Sequence, residues 1–224
     1  MAIDGPAGVG KSTVAKAVAE RLGFNYLDTG ATYRAAALAV LRAGVDPKDR
    51  RKVAEVVCSL DIDLKYRPGE GLKVLLEGEE VTNEIRLPKV AEVASVISTY
   101  PEVRQALVEL QRRLGSKGPT VAEGRDVQTV VFPDAEVKIF LVASLEERAR
   151  RRYLDLIARG IREPFEKVKR EIEERDIRDM RREVAPLRPA PDSFVIDSTP
   201  NFPGETIERA VWIVKRRLSE VTNK

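Results

Sequence analysis

A run of residues near the start of the chain has the types and spacing for phosphate chemistry. Gly5-Pro6-Ala7-Gly8-Val9-Gly10-Lys11-Ser12 matches G-x-x-x-x-G-K-[ST] in full, and Thr13 follows. The glycines allow backbone N–H groups to turn inward around phosphate oxygens. Lys11 would place a charge on the β/γ oxygens, and the Ser12 hydroxyl could join a magnesium shell. Gly5, Ala7, Gly8, Val9, Gly10, Lys11, Ser12 and Thr13 are therefore the expected contacts for a nucleoside triphosphate, with Lys11 on its β/γ oxygens and Ser12 the metal ligand. The plain alternative is a chance match in a glycine-rich turn. Context argues against it: apolar Ala2 to Asp4 reads as a strand, and Val14, Ala15, Val18, Ala19 and Leu22 keep a helical rhythm. A helix starting there would aim its positive end at the anion.

Such a loop does not name a reaction, because switches, motors and small-molecule kinases share it. A guanine-reading N-K-x-D motif is absent from the sequence. Ligands of an open α/β sheet bind outside the carboxyl ends of the strands. Two strand ends carry polar groups there: Asp28-Thr29-Gly30 with Arg34, and Gly124-Arg125-Asp126. A capped turn with a surface arginine is the bland reading of each. On the helix expected from Pro164 to Arg182, Phe165, Val168 and Ile172 form an apolar stripe that continues into Arg175, Asp179 and Arg182. A helix that leaves a core and enters a polar cleft would do this; a solvated end laced by i, i+4 pairs is the alternative. Glu147 to Arg162 carries Arg148, Arg150, Arg151, Arg152, Arg159 and Arg162. It reads as a lid supplying positive charge to a triphosphate, although a salt-bridged surface accounts for some of these side chains.

The elements needed to position these residues can be read from pattern. Phe24 to Leu27, Val121-Ala122, Val137 to Val142 and Phe194 to Ile196 read as strands between helices, which implies a parallel sheet covered on both faces. Asp28-Thr29-Gly30 reads as a turn before a helix from Ala31 to Ala43. Around 62–90, alternating apolar and charged residues predict a small antiparallel sheet of about three strands. Helices are expected at Lys89 to Ser98, Val103 to Leu114 and Glu205 to Leu218, and Ser144-Leu145-Glu146-Glu147 reads as a capping box.

Composition narrows the classes. The 224 residues suit one α/β domain with a small insertion, and the net charge of +3 comes from interspersed signs, which argues against a nucleic-acid-binding stripe. Of the 39 basic residues 26 are Arg, the side chain whose planar fork fits phosphate. With no His, imidazole catalysis and His-ligated metals are excluded. One cysteine, Cys58, allows no intramolecular disulfide and favours a reducing, cytoplasmic setting.

Taken together, the motifs I-D-G-P-A-G-V-G-K-S-T, L-D-T-G-A-T-Y-R, E-G-R-D-V-Q-T-V-V-F-P-D-A, V-K-I-F-L, E-R-D-x-R-D-x-R-R and A-P-L-x-P-A resemble the bacterial cytidylate kinases over essentially the whole chain. The resemblance implies a P-loop α/β three-layer fold with a five-stranded parallel sheet. Residues 1–61 and 91–224 would be the core, about 147–163 the helical lid, and 62–90 a nucleotide-monophosphate-binding insertion. It implies phosphoryl transfer from ATP with Mg2+ to CMP or dCMP. Thr29, Arg34, Arg125 and Arg182 would surround the acceptor phosphate, Ser95, Arg104 and Asp126 the cytosine, and Asp179 the ribose. Arg175 joins the acceptor set, and Arg125, Arg182 and Arg152 join Lys11 as catalytic charges. A monomer without nucleic-acid or membrane partners is expected. Two other readings stay open: a kinase of another small acceptor, such as a different nucleoside monophosphate or shikimate, and a P-loop regulatory or nucleic-acid-binding ATPase.

Overall fold

The computed structural model describes residues 1–200 and 203–222. A five-stranded sheet has the order β2-β6-β1-β7-β8, with β1 at Ala2–Asp4, β2 at Asn25–Asp28, β6 at Thr120–Gly124, β7 at Lys138–Val142 and β8 at Phe194–Asp197. A second sheet joins β3 (Ile62–Arg67), β4 (Gly71–Leu76) and β5 (Glu79–Glu80). The chain divides into two compact units, Met1–Gly23 with Glu123–Lys224, and Phe24–Ala122.

In the first unit, β1 is wholly buried and pairs in parallel with β7, Ile3 opposite Ile139 and Asp4 opposite Phe140. β7 pairs in parallel with β8, Phe140 opposite Val195. Burial on both faces explains why β7 reads as an almost continuous apolar run. Its one charged residue, Lys138, escapes the cost of burial by reaching Asp192 at 2.9 Å. α1 (Lys11–Leu22) buries Val14, Ala15, Val18 and Ala19 on one face and ends at Gly23, as the spacing predicts. α6 (Leu145–Ala158) and α7 (Phe165–Arg181) join through a core of Ala149, Leu156, Val168 and Ile172, with Tyr153 edge-on to Phe165 at 5.8 Å. α8 (Pro203–Thr222) closes the unit.

In the second unit, α2 (Thr29–Arg42) is nearly covered, and its alanines let neighbouring elements approach closely. α3 (Arg50–Cys58), α4 (Pro88–Ile97) and α5 (Pro101–Gly115) follow, the last two opening on a proline whose missing N–H costs nothing at the first helical position. The β3–β4 pair is antiparallel, Ile62 opposite Leu76, and β4 buries alternate residues, Leu72, Val74 and Leu76.

Two local expectations need correction. α2 begins at Thr29, not Ala31, because the Asp28 side chain caps it by accepting from Ala31 N at 2.9 Å. What reads as a turn is the first helical turn. The capping box at α6 is formed on one side: Ser144 Oγ accepts from Glu147 N at 3.2 Å, but the Ser144 N–H goes to Thr199 Oγ1 and the Glu147 carboxylate to Arg150 and Arg151. α3 was not anticipated from the pattern at all.

Candidate active site

The phosphate loop is shaped by close approaches that only glycine permits. Gly5 sits at φ 153, and a Cβ there would lie 2.3 Å from the Leu141 carbonyl oxygen. Gly8 sits at φ 75, and its Cβ would meet the Arg148 carbonyl oxygen at 2.8 Å. Side chains at either position would force the loop off β7 or off α6. α1 begins at Lys11 without a side-chain cap and without an acid in its first turn. Its positive end is therefore left for a ligand. Lys11 is buried and its Nζ donates to the Pro6 carbonyl at 2.7 Å. Burial lowers its pKa to about 7; Arg125 and Arg175 push the same way, against Glu123 and Asp4. An anion placed beside this amine would restore its charge, so the residues fit a triphosphate. Ser12 is exposed at the start of α1. Among the described residues no cluster of acids could hold a metal alone. A magnesium ion here would be shared between Ser12 and ligand phosphates, which is how Mg2+ is usually held.

The same unit gathers five further residues singled out from sequence. Arg125 Nε donates to Asp179 Oδ2 at 2.9 Å, and Arg182 faces Asp126 at 3.6 Å, all four side chains being largely buried. Burial opposes ionisation of Asp179, but Arg125, Arg175 and Arg182 outweigh it and hold the carboxyl below its ordinary range. The inward stripe of α7 does turn from apolar to charged: Val168 and Ile172 are buried, and so are Asp176 and Asp179 further along. Arg182 Nε also donates to the carbonyl of Ala185, which sits at φ 53, an uncommon conformation for a non-glycine residue. Buried carboxylates thus fix the planes of buried guanidiniums. Arg125, Arg175 and Arg182 thus converge around Asp179, and planar guanidinium forks suit phosphate oxygens.

In the other unit, Arg34 pairs with Asp28 at 2.8 Å, and Thr29 lies buried in the first turn of α2. Thr29's carbonyl accepts from Thr32 Oγ1, which in turn takes the amide of buried Gln111 at 2.8 Å. Arg104 is buried, donates to the Ser98 carbonyl at 3.2 Å and lies over the Tyr33 ring at 5.9 Å. Ser95 is buried on α4.

Residues 1–216 match the family described as Cytidylate kinase. The chain is 48% identical over 220 residues to a cytidylate kinase of Geobacter sp. (strain M21), covering 98% of this chain and 94% of that one. It is 47% identical over 218 residues to one from Carboxydothermus hydrogenoformans, covering 97% of each. The chain belongs to the cytidylate kinase family.

Within this cytidylate kinase chain the α6 arginines divide by task. Arg148 is buried, ion-pairs with buried Asp176 of α7 and donates to the Ala7 carbonyl in the phosphate loop at 3.1 Å. Asp176 also accepts from Ala7 N at 3.4 Å. Arg151 binds the Ser198 carbonyl and, at 3.4 Å, the Val9 carbonyl. These two guanidiniums brace the loop rather than stand free for a ligand. Arg152 faces Asp155 at 3.1 Å and Arg150 faces Glu147 at 2.8 Å, both pairs more exposed.

Three residues beside this site were not assigned from sequence, Asp4, Glu123 and Asp176, and Arg148 was read only as one of the lid arginines. Asp4 and Glu123 are buried acids acting electrostatically on Lys11. The available signal was an acid ending each of two apolar strands. Asp176 lies four residues after Ile172 and three before Asp179, so the helical count that reaches Arg175 admits Asp176 equally, and its burial marks it as part of the inward stripe.

Proposed function

We propose that this protein transfers the γ-phosphoryl group of ATP to CMP or dCMP, giving ADP and CDP or dCDP. The observation that carries this is the match of residues 1–216 to the cytidylate kinases, in a chain whose phosphate loop is intact around a buried Lys11.

The acceptor oxygen is a phosphate oxygen already ionised at neutral pH, so no general base is required. Positioning and charge neutralisation are the available sources of rate. Lys11 neutralises the transferring group, regaining full charge as phosphate oxygens replace the Pro6 carbonyl. Backbone N–H groups of Gly5 and of Ala7 to Thr13 are assigned to the donor, Pro6 having none to give. Magnesium, when bound, spreads charge over the phosphates, with Ser12 as its protein ligand. In the unit formed by Phe24–Ala122, Thr29 and Arg34 are assigned to the acceptor phosphate, and Ser95 and Arg104 to the base. In the other unit Arg125 and Arg182 are assigned to the phosphate, Asp126 to the exocyclic amine of cytosine, Asp179 to the ribose, and Arg175 to the acceptor site as a whole. Arg152 is the arginine of α6 assigned to the transition state, since Arg148 and Arg151 are committed to main-chain carbonyls. Segment 62–90 is read as the monophosphate-binding insertion and about 147–163 as the lid. A monomer without nucleic-acid or membrane partners is proposed, in keeping with interspersed charge; no helix among the described residues is long and apolar enough to cross a membrane. A cytoplasmic setting rests on the single cysteine.

The test is an acceptor panel. CMP, dCMP, UMP, AMP and shikimate are supplied with ATP and Mg2+, and ADP release and phosphorylated product are both read. CMP and dCMP should lead the panel. Preference for another acceptor, or ATP hydrolysis stimulated by nucleic acid without CDP, would refute the proposal.

A further inference from the structure

Asp4 is the last residue of β1 and the residue before Gly5, and it is completely buried. Its two carboxylate oxygens accept two backbone N–H groups far along the chain, Val127 N at 3.0 Å and Gln128 N at 2.8 Å. Those amides open a short helical turn, Val127–Val131, whose later N–H groups close on one carbonyl: Asp126 O accepts from Thr129 at 3.3 Å, Val130 at 2.8 Å and Val131 at 3.2 Å. The first amides of such a turn have no partner within it. Asp126 does not cap the turn with its own side chain. Asp4 therefore acts as a cap delivered from another strand. The turn is pinned again by the Gln128 side chain, whose Oε1 accepts from Ala190 N at 2.9 Å.

Packing alone does not explain a carboxylate at this position. A buried acid is costly unless its charge is met, and an apolar side chain would fill a strand end more cheaply. Only a carboxylate offers two acceptor oxygens and no donor to two parallel N–H groups. The charged groups facing it are Asp126 on the turn and Lys11 on α1. Burial raises its pKa to about 6; the Gln128 and Val127 amides and Lys11 pull it back, and Asp126 pushes it further up.

We propose that Asp4 is a positioning residue for base selection: by holding the Val127 and Gln128 amides, it fixes the Arg125–Asp126 turn and so the direction in which Asp126 meets the acceptor base. The inference rests on the assignment of Asp126 to the cytosine amine. Because Asp4 also adjoins the phosphate loop, it ties the start of the donor loop to the turn proposed to read the acceptor.

The experiment measures kcat/KM for CMP and for UMP, with KM for ATP and the thermal midpoint, in wild type, Asp4→Asn, Asp4→Ala and Asp126→Ala. The Asn side chain can accept from one amide but turns its NH2 toward the other. Asp4→Asn should lower kcat/KM for CMP on the order of tenfold, as expected when a buried donor loses its acceptor. It should narrow the CMP:UMP ratio in the same sense as Asp126→Ala, while KM for ATP moves less. A wild-type CMP:UMP ratio in folded Asp4→Asn, with Asp126→Ala narrowing it, would overturn the role of Asp4 and leave the Asp126 reading standing. A full ratio in Asp126→Ala would overturn that reading and this inference with it.

If the Asp4 variants do not fold, the wild-type protein still answers. The amide resonances of Val127 and Gln128 should shift together between pH 8 and pH 5 with a midpoint near 6, as one carboxylate oxygen takes a proton. The CMP:UMP ratio should fall over the same range; titration of the acceptor phosphate is common to both substrates and cancels. Amide resonances that titrate without any change in that ratio would show a structural cap only, and would overturn the proposal.

Discussion

Lys11 Nζ donates to the carbonyl oxygen of Pro6, five residues earlier in the same loop, at 2.7 Å, in a setting buried enough to bring its pKa to about 7. The Lys11 amine is thus held inside the cradle by a neutral acceptor. Its full charge depends on what else enters.

That arrangement predicts proton uptake on ATP binding. In the free protein Lys11 carries a proton mainly below pH 7, because its native pKa is depressed from the ordinary lysine value. Bound phosphate raises that pKa, so at pH 8 binding should take up close to one proton, and at pH 6 much less from this group. Calorimetric titration of ATP in buffers of different ionisation enthalpy reads the number directly. ATP's own terminal phosphate titrates near pH 6 to 7 and contributes at the lower pH, so the pH 8 value is the informative one. No uptake there would mean that Lys11 is already charged in the free protein.

Lys11→Ala should nearly abolish turnover in a folded protein. Loss of one preorganised charge at the transferring group should raise the barrier by about 3 kcal/mol or more, on the order of a hundredfold or greater in kcat. Circular dichroism establishes the fold and steady-state kinetics the loss; near-normal kcat would contradict the role given to the loop.

Asp126 and Asp179 should separate by function. Asp126 faces Arg182, whereas Asp179 is bound to Arg125 at 2.9 Å. A carboxylate accepts from the cytosine amine and is repelled by the carbonyl that uracil carries in its place. Asp126→Ala should therefore reduce kcat/KM for CMP far more than for UMP. Asp179→Ala should weaken CMP and dCMP with little change in base preference. Collapse of the CMP:UMP ratio in Asp179→Ala alone would mean that the two carboxylates are assigned the wrong way round.

The buried Arg148–Asp176 pair should matter more broken than absent. Asp176→Ala leaves a buried guanidinium without its carboxylate and should cost about 3–5 kcal/mol of stability. Removing both side chains should cost less than the sum of the single changes. Denaturant unfolding of the two single variants and the double variant gives the coupling; strict additivity would show that the pair does not act as a unit.

The parts of the site legible in sequence are those with local signatures. The phosphate loop is contiguous, and its glycines answer to close approaches at Leu141 and Arg148. The α7 stripe follows the helical period, so the inward position of Asp179 is legible from spacing, whereas Arg175 on the same count is only half-buried. The five-stranded sheet and the small antiparallel sheet are visible as continuous and alternating apolar runs. Asp4 and the amides of Val127 and Gln128 are joined across more than a hundred residues, and no local pattern announces that. Arg148 and Asp176, 28 residues apart on two different helices, are likewise joined by no local pattern. Their burial could be read only after the strands and helices were assembled, since an isolated acid at a strand end looks like a solvated one. The start of α2 was misplaced because Asp28 serves equally well as a turn residue and as a helix cap.

The central claim is tested most directly by following CDP formation from ATP and CMP with Mg2+ by chromatography, alongside ADP release. The account predicts stoichiometric CDP and ADP, with CMP or dCMP preferred over UMP, AMP and shikimate, and with turnover lost in Lys11→Ala. ADP release without CDP, or a better acceptor outside the cytidine nucleotides, would contradict it.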